Sequence, residues 1–479
     1  QTITTSMSGA SDGLPHLNIN KSSGTVDVSG SIFSATSFTL ASGTFTSTSG
    51  DFYVAGDFII SGGTFNHNSG TIHFSGGSND DLDVDSSVTF NDVEFNKNVG
   101  SAQLDIGSGD TIVVEGDLTF AKGKINAGTI QAQGDVTVAA TSNIGNGSAL
   151  LQFTGTNNQT YTDAGGLEPN GDITINKSSG TVTLASDAEW DASNQDVTLT
   201  SGTLDVDGNN LDTANLTISA GSTMQNTTGG GLVSLSGNLD INGTAGSHVT
   251  IDTVDFDITG SADADHTVAR DSDASAGTNV DASDGTNTDA GGNTGWTFAA
   301  GSDLWWVNYD ADNDFFNANN WASSEGGSGG VRIPGAADNA YFSDTSSSDD
   351  VTLSADASVL YLEMKGSYAG TFDMATFDLS VGTGGVDLDC PGTLDVGTGT
   401  LSIDGDFLHD DIDWDGASGG AIELTGSSNT WDSTALGTIS ATDITFELKS
   451  GASYTRSSGN FSVSSPSTIN GALSININA

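Results

Sequence analysis

The octapeptide Ile-Asn-Lys-Ser-Ser-Gly-Thr-Val occurs at Ile19–Val26 and again at Ile175–Val182, and a blurred copy, Phe95-Asn96-Lys97-Asn98-Val99-Gly100, lies about midway between them. Self-similarity at a fixed period constrains the architecture first, because it means stacked units in place of one folded core. Thr71-Ile72-His73-Phe74-Ser75-Gly76 and Leu150-Leu151-Gln152-Phe153-Thr154-Gly155 each stand about twenty residues ahead of an Asn-Lys element, so the superrepeat is close to eighty residues. A smaller unit runs inside it. Gly56-Asp57-Phe58, Gly116-Asp117-Leu118, Gly134-Asp135-Val136, Gly171-Asp172-Ile173, Gly237-Asn238-Leu239 and Gly405-Asp406-Phe407 each open an alternating apolar run. Ser-Gly-Thr and an apolar residue often follow, as at Ser42-Gly43-Thr44-Phe45 and Ser201-Gly202-Thr203-Leu204.

A short strand cannot hide its apolar face alone, but successive rungs stacked about 4.8 Å apart make parallel sheets whose inward side chains form one continuous core. The expected fold is therefore all-β: a right-handed parallel β-helix, or β-solenoid, of roughly twenty rungs, on the order of 100 Å long. Tandem β-sandwich modules are the alternative, since short strands at regular spacing suit them too. Against them stand the absence of a tyrosine-corner or Cys-Trp-Cys pattern and a chain with only 5 prolines.

Three segments are expected. Residues 1–300 form a first array, whose alternation fades into an Asp/Ser/Thr/Gly/Asn stretch between Ala262 and Thr294. Residues 301–350 bring clustered aromatics, Leu304-Trp305-Trp306, Phe315-Phe316 and Trp321, followed by Val331-Arg332-Ile333-Pro334-Gly335, and read as an aromatic, Asp-rich cap or junction. Residues 351–479 resume the rungs as a second array, with Asp443–Gly451 echoing Asp172–Gly180.

The Gly-Asp-apolar and Ser-Gly-Thr rungs, the Ser272–Phe298 stretch with its Gly-Asn-Thr-Gly-Trp, and the opening Asn317-Ala318-Asn319-Asn320-Trp321 with Pro334 and Asp338 resemble the β-helical regions of bacterial secreted and cell-surface proteins, adhesins and autotransporter passengers among them. The resemblance covers nearly the whole chain. It implies an extracellular or cell-surface location, and a shape more than an activity, because such proteins include adhesins, fibres and carbohydrate-active enzymes.

The formal charge of −52 comes from 62 acids against 10 bases, and only eight of the acids are Glu. An acidic helical protein favours Glu, whereas Asp forms turns and is a compact oxygen ligand. With no cluster of Lys or Arg the chain lacks a phosphate-binding face, which excludes nucleic acid as a partner. No apolar run reaches the roughly 20 residues of a transmembrane helix. Self-repulsion at this charge points to a saline medium or bound calcium. A chain that starts and stops inside repeat-like sequence is expected to be a mature form or a segment of something longer. The single cysteine, Cys390, has no disulfide partner within the chain and reads as a small buried hydrophobe.

The densest candidate metal site is Asp310-Ala311-Asp312-Asn313-Asp314, flanked by Asn308 and Asn317, because oxygen ligands on alternate residues of a tight loop suit calcium. It lacks the Gly and closing Glu of an EF-hand, and a solvated acidic turn is the competing reading. Asn79-Asp80-Asp81 with Asp83 and Asp85, and Asp410-Asp411 with Asp413 and Asp415, are weaker copies of the same idea. Lys21, Lys97, Lys177 and, one residue shifted, Lys449 hold the repeat position, which assigns them to rung structure. Of the six histidines, His67 and His73 are the pair spaced to share a sheet face. Asn20, Asn96 and Asn176 recur at one repeat position, which suggests a stacked inward ladder, with glycosylation at Asn20 and Asn176 as the alternative. No catalytic residue is assigned.

The functional expectation is an extracellular structural or adhesive surface protein without enzymatic activity, self-associating into a fibre, filament or surface layer, with glycans or other cells as partners. A carbohydrate-active β-helix enzyme or a glycan-binding module is the alternative. An Asp cluster in a groove beside Arg270, Arg332 or Arg456 would favour the enzyme. Solvent-facing Trp305, Trp306 or Trp321 would favour the module.

Overall fold

A computed structural model of the chain describes residues 1–4, 7, 13–142, 147–193, 195–244, 246–346, 348–415, 420–432, 445–456, 467–469 and 472–475. Asp443 and Ile444, which open the late echo of the repeat, lie outside the described residues. The chain is a parallel β-solenoid of about 19 turns, 54% strand and 1% helix. Among the described strand pairs all are parallel except Asp303–Trp306 with Trp321–Ala322. A β-sandwich is built from antiparallel strands, so the tandem-sandwich alternative falls.

Each rung pairs with the strand about twenty residues on: Phe38 faces Phe58, Asp51 faces Thr71 and Thr111 faces Thr129. Within a strand alternate residues are buried, so the in-register ladder stacks like on like. Phe52 and Val54 sit over Ile72 and Phe74, which sit over Val93 and Phe95. The Phe74, Phe95 and Phe120 rings follow one another at 5.6 and 5.7 Å, with planes within 19° and 18° of parallel. This column meets the need of a strand too short to bury its own face.

The octapeptide is a corner. In both perfect copies the chain runs on as strand through the element, with a register shift between its Asn and its Thr. Asn20 pairs with Ser42 and Thr25 with Thr44; Asn176 pairs with Ser201 and Thr181 with Thr203. Gly24 and Gly180 take φ of 86° and 80° at this bend, a left-handed conformation that glycine adopts without steric cost.

The chain divides into two compact units. The first comprises Gln1–Ile241, Val249–Ala262 and Asp273–Asn279; the second comprises Asn242–His248, Asp263–Ser272 and Val280–Ala479. Their limits therefore fall within residues 241–280, upstream of the change in composition near residue 300. In the second unit the polar stretch still makes rungs, Thr267–Arg270, Val280–Ala282, Thr288–Asp289 and Trp296–Phe298. Apart from Val280 its inward residues are small or polar, Ala269, Ala282, Ala290, Thr267, Ser272 and Asn287, which is why the apolar alternation fades from the sequence. Leu304, Trp306, Phe315, Trp321 and Phe342 then share one core with the rungs that run on to Tyr454.

Candidate functional site

The Asp residues that open the rungs have one recurring task. Asp57 Oδ1 accepts from the backbone N–H of Asp81 at 3.0 Å, Asp135 from Thr160 at 2.8 Å, Asp172 from Asp196 at 3.1 Å and Asp406 from Thr430 at 2.7 Å. Some form continuous ladders: Asp187 to Asn210 to Leu232, Asn215 to Asn238 to Ser261, and Asp356 to Asp378 to Thr400. A corner N–H that points along the stack has no strand partner, and a short side chain one rung back supplies its acceptor. The recurring acceptor is the short side chain of Asp or Asn, so the preference for Asp is structural. At two corners the preceding glycine follows from the same contact, since a Cβ at Gly116 would meet Asp92 Oδ1 at 2.1 Å and one at Gly237 would meet Asn215 Oδ1 at 2.3 Å; at Gly56, Gly134 and Gly171 it would meet a backbone carbonyl oxygen of the preceding rung at 2.7, 2.3 and 2.0 Å.

In the Asp310–Asp314 loop the carboxylates are held by amides of the same module. Asn317 Nδ2 donates to Asp310 Oδ2 at 2.9 Å and to Asp312 Oδ2 at 2.7 Å, Asn319 Nδ2 donates to Asp310 Oδ2 at 2.9 Å, and Asn320 Nδ2 donates to Asp312 Oδ1 at 2.6 Å. Asp314 Oδ1 accepts from Phe316 N–H and from Ser354 Oγ. Burial pushes the Asp312 carboxyl up, but the Asn320 and Asn317 amides together with backbone N–H groups outweigh it and hold the group below its ordinary range. Among the described residues no group of three or more His, Cys, Asp and Glu is arranged to hold a metal ion. In the weaker clusters, Asp80 is a buried ion-pair partner of Lys97, and Asp413 and Asp415 stand on the outer face of their strand.

The repeat-position lysines split. Lys97 and Lys177 are each 1% exposed. Lys97 Nζ donates to Ser75 O at 2.8 Å and pairs with Asp80, while Lys177 Nζ donates to Asn157 O at 2.7 Å and Gln159 Oε1 at 2.5 Å. Both fasten the preceding rung from inside. Lys449 instead lies on an outer face, between Glu423 at 2.6 Å and Glu447 at 3.1 Å. Asn20, Asn96 and Asn176 are exposed and do not form the inward ladder expected of them. Their spacing spans several rungs, so they cannot touch one another; Asn20 and Asn176 accept from Ser42 and Ser201 on the next rung. His67 pairs with Glu115 at 3.4 Å, whereas His73 lies between Glu94 and Asp51 and stacks on Tyr53, so the two imidazoles serve different contacts.

Arg332 is 4% exposed; it pairs with Asp338 and donates to Asn287 O at 3.1 Å, latching the 331–338 loop onto an earlier rung of the second unit. Burial pushes the Asp338 carboxyl up, with the Arg332 guanidinium drawing it part of the way back. Arg270 lies 3.5 Å from Asp356 in an open cleft of about 230 Å³ that also exposes Asp271, Asp378 and Ser380. This is the Asp cluster beside an arginine that a carbohydrate-active enzyme would need. Asp356 and Asp378 each commit one oxygen to the corner ladder, which leaves each a structural task there. Trp306 and Trp321 are completely buried, while Trp305 is half-buried on the outer face and stacks on Tyr341 at 4.8 Å.

Sequence reasoning passed over Glu168. It is 8% exposed, its Oε1 accepts from Glu189 N–H at 3.2 Å, and burial pushes its carboxyl up to about 8. Tyr161 lies beside it and draws it part of the way back, although no hydrogen bond of ordinary geometry reaches Glu168 Oε2, Tyr161 Oη or Trp190 Nε1. The available signal was a rare Glu beside a rare Pro, in a stretch without the rung motif, Ala164-Gly165-Gly166-Leu167-Glu168-Pro169. A cleft of about 250 Å³ opens next to it, lined by Leu167, Asn170, Glu189 and Asp191.

Compared with known proteins, the chain matches no protein-family profile, no curated protein and no solved structure.

Proposed function

We propose that the protein is a structural component of an extracellular or cell-surface assembly, a repeated building block without chemistry of its own, of the kind found among bacterial secreted β-helical proteins. The observation that supports it best is the corner ladder. Aspartates at the corners of rungs along both units, Asp57, Asp135, Asp172 and Asp406 among them, each accept a backbone N–H of the next rung, a task in holding the stack together. Unpaired strand edges at the ends of such a stack recruit further strands, which offers a route to fibres or layers. The surface charge opposes contact between copies at low salt, and salt screens it over about 10 Å at 0.1 M, so assembly should strengthen with ionic strength.

Electron microscopy of the purified protein across a salt series tests the proposal: filaments or ordered sheets are expected. Dispersed particles at every salt concentration, together with cleavage of polysaccharides that is lost in Asp356→Asn or Asp378→Asn, would establish the enzyme reading at the Arg270 cleft instead. Antibody labelling of intact producing cells checks the location.

A further inference from the structure

The strands Asp303–Trp306, Asn339–Phe342 and Ala357–Lys365 send Leu304, Trp306, Ala340, Phe342 and Leu362 into the core, each no more than 1% exposed. Their other face carries Trp305, Tyr341 and Tyr361, all half-buried. Trp305 and Tyr341 are register partners whose rings lie 4.8 Å apart and 16° from parallel; the Tyr361 ring follows at 5.9 Å, turned 68° from Tyr341. On its other side Trp305 pairs with Ala322, a residue with only a methyl group. The core is closed by Trp306 and Trp321, so Trp305 is not needed to seal it.

Polar contacts fix the two tyrosine rings, and Trp305 stacks on the first of them. Tyr341 Oη donates to Asp303 Oδ1 at 3.3 Å and Asn339 Nδ2 donates to the same oxygen at 2.7 Å. Tyr361 Oη donates to Glu363 Oε2 at 2.8 Å, and Lys365 Nζ bridges Glu363 at 3.1 Å and Asp387 at 2.7 Å. A half-exposed aromatic group held in place by its surroundings, with hydrogen-bonding groups beside it, has the make-up of a recognition surface. Aromatic faces accept the C–H face of a sugar ring, and carboxylates and amides accept from and donate to its hydroxyls. Three carboxylates, Asp303, Glu363 and Asp387, stand against one lysine that is already paired with two of them, so the patch repels anions.

We infer that the outer face formed by Trp305, Tyr341 and Tyr361 is a binding site for an uncharged oligosaccharide. It does not rest on the assembly reading: a surface protein that never polymerises could still carry it.

The test uses the full chain in physiological salt, with affinity electrophoresis through three classes of polysaccharide: neutral (β-glucan, mannan and galactan), amino (chitosan) and acidic (polygalacturonate). Retention by at least one neutral polysaccharide is expected, weakened at least about tenfold in Trp305→Ala and in Tyr341→Ala. Both variants should keep the parent's melting midpoint; should either misfold, Tyr361→Phe, which keeps the ring and removes the hydroxyl, gives the same readout through a smaller loss. Absence of retention by every neutral polysaccharide overturns the proposal. So does equal retention in Trp305→Ala, or retention by chitosan or polygalacturonate alone, which would mark charge attraction or a different site. Filament formation is scored separately on the same samples, so failure of either reading leaves the other measurable.

Discussion

Replacing Glu168 by Gln isolates the cost of a buried carboxyl. The side chain is 8% exposed, and its Oε1 accepts one backbone N–H, from Glu189 at 3.2 Å, a bond the amide oxygen of Gln can keep. Burial raises the carboxyl from 4.5 in the unfolded chain to about 8 in the folded one. The folded state thus binds this proton more tightly than the unfolded state. The stability it contributes is complete below pH 4.5 and is lost as pH rises through about 8. One pKa unit corresponds to about 1.4 kcal/mol, so the ionisable group costs roughly 3 kcal/mol at pH 7 and roughly 5 kcal/mol above pH 8. Glu168→Gln should therefore be nearly neutral at pH 4.5 and stabilising by roughly 3 kcal/mol at pH 7. A stacked array opens in segments, so the proper readout is local: hydrogen exchange of amides between residues 150 and 213, corrected for intrinsic rates, in parent and variant from pH 4.5 to 8.5. Contributions of acids remote from residue 168 cancel in the difference between the two proteins. A difference that stays flat across this range, or a variant less stable at pH 8 than its parent, refutes the reasoning.

Arg332→Ala leaves Asp338 buried without its cation and should destabilise the second unit by about 3–5 kcal/mol in urea melts, with Asp338→Asn recovering part of the loss in the double variant. At the corners, Asp172→Ala removes the acceptor for Asp196 N–H and should cost about 1 kcal/mol, whereas Asp172→Asn retains an acceptor oxygen and should be close to neutral; equal losses in the two would show that the charge, and not the hydrogen bond, is at work. With the Asp310 and Asp312 carboxylates already held by Asn amides, the melting midpoint is expected to be the same in millimolar calcium and in chelator. A rise of several degrees with calcium that disappears in Asp312→Asn would instead establish the loop as a calcium site.

The period of about twenty residues, the parallel stacking and the absence of a helical core were all legible in the chain itself. Those features rest on local patterns: apolar alternation within four or five residues, and glycine with Asp or Asn at the corners between runs. The rungs between 262 and 298 were less legible, because apart from Val280 their inward residues are Ala, Thr, Ser and Asn, which carry no hydrophobic period. The candidate sites were legible as residue types and not as environments. The contacts between rungs join residues about twenty positions apart, as those of Lys97 and Lys177 do, so each partner depends on how one rung lies over the next. Whereas the Asn amides that hold Asp310 and Asp312 lie only five to nine residues away within the same loop, that stacking drew Lys97 and Lys177 inside while leaving Lys449 on an outer face, and it buried Glu168. It also turned Trp306 inward, and strand alternation then placed Trp305 outside. The sequence by itself determined that a rung repeats and where its corners fall; the tertiary structure decided which side chains the repetition buries, because burial is a property of the neighbouring rungs.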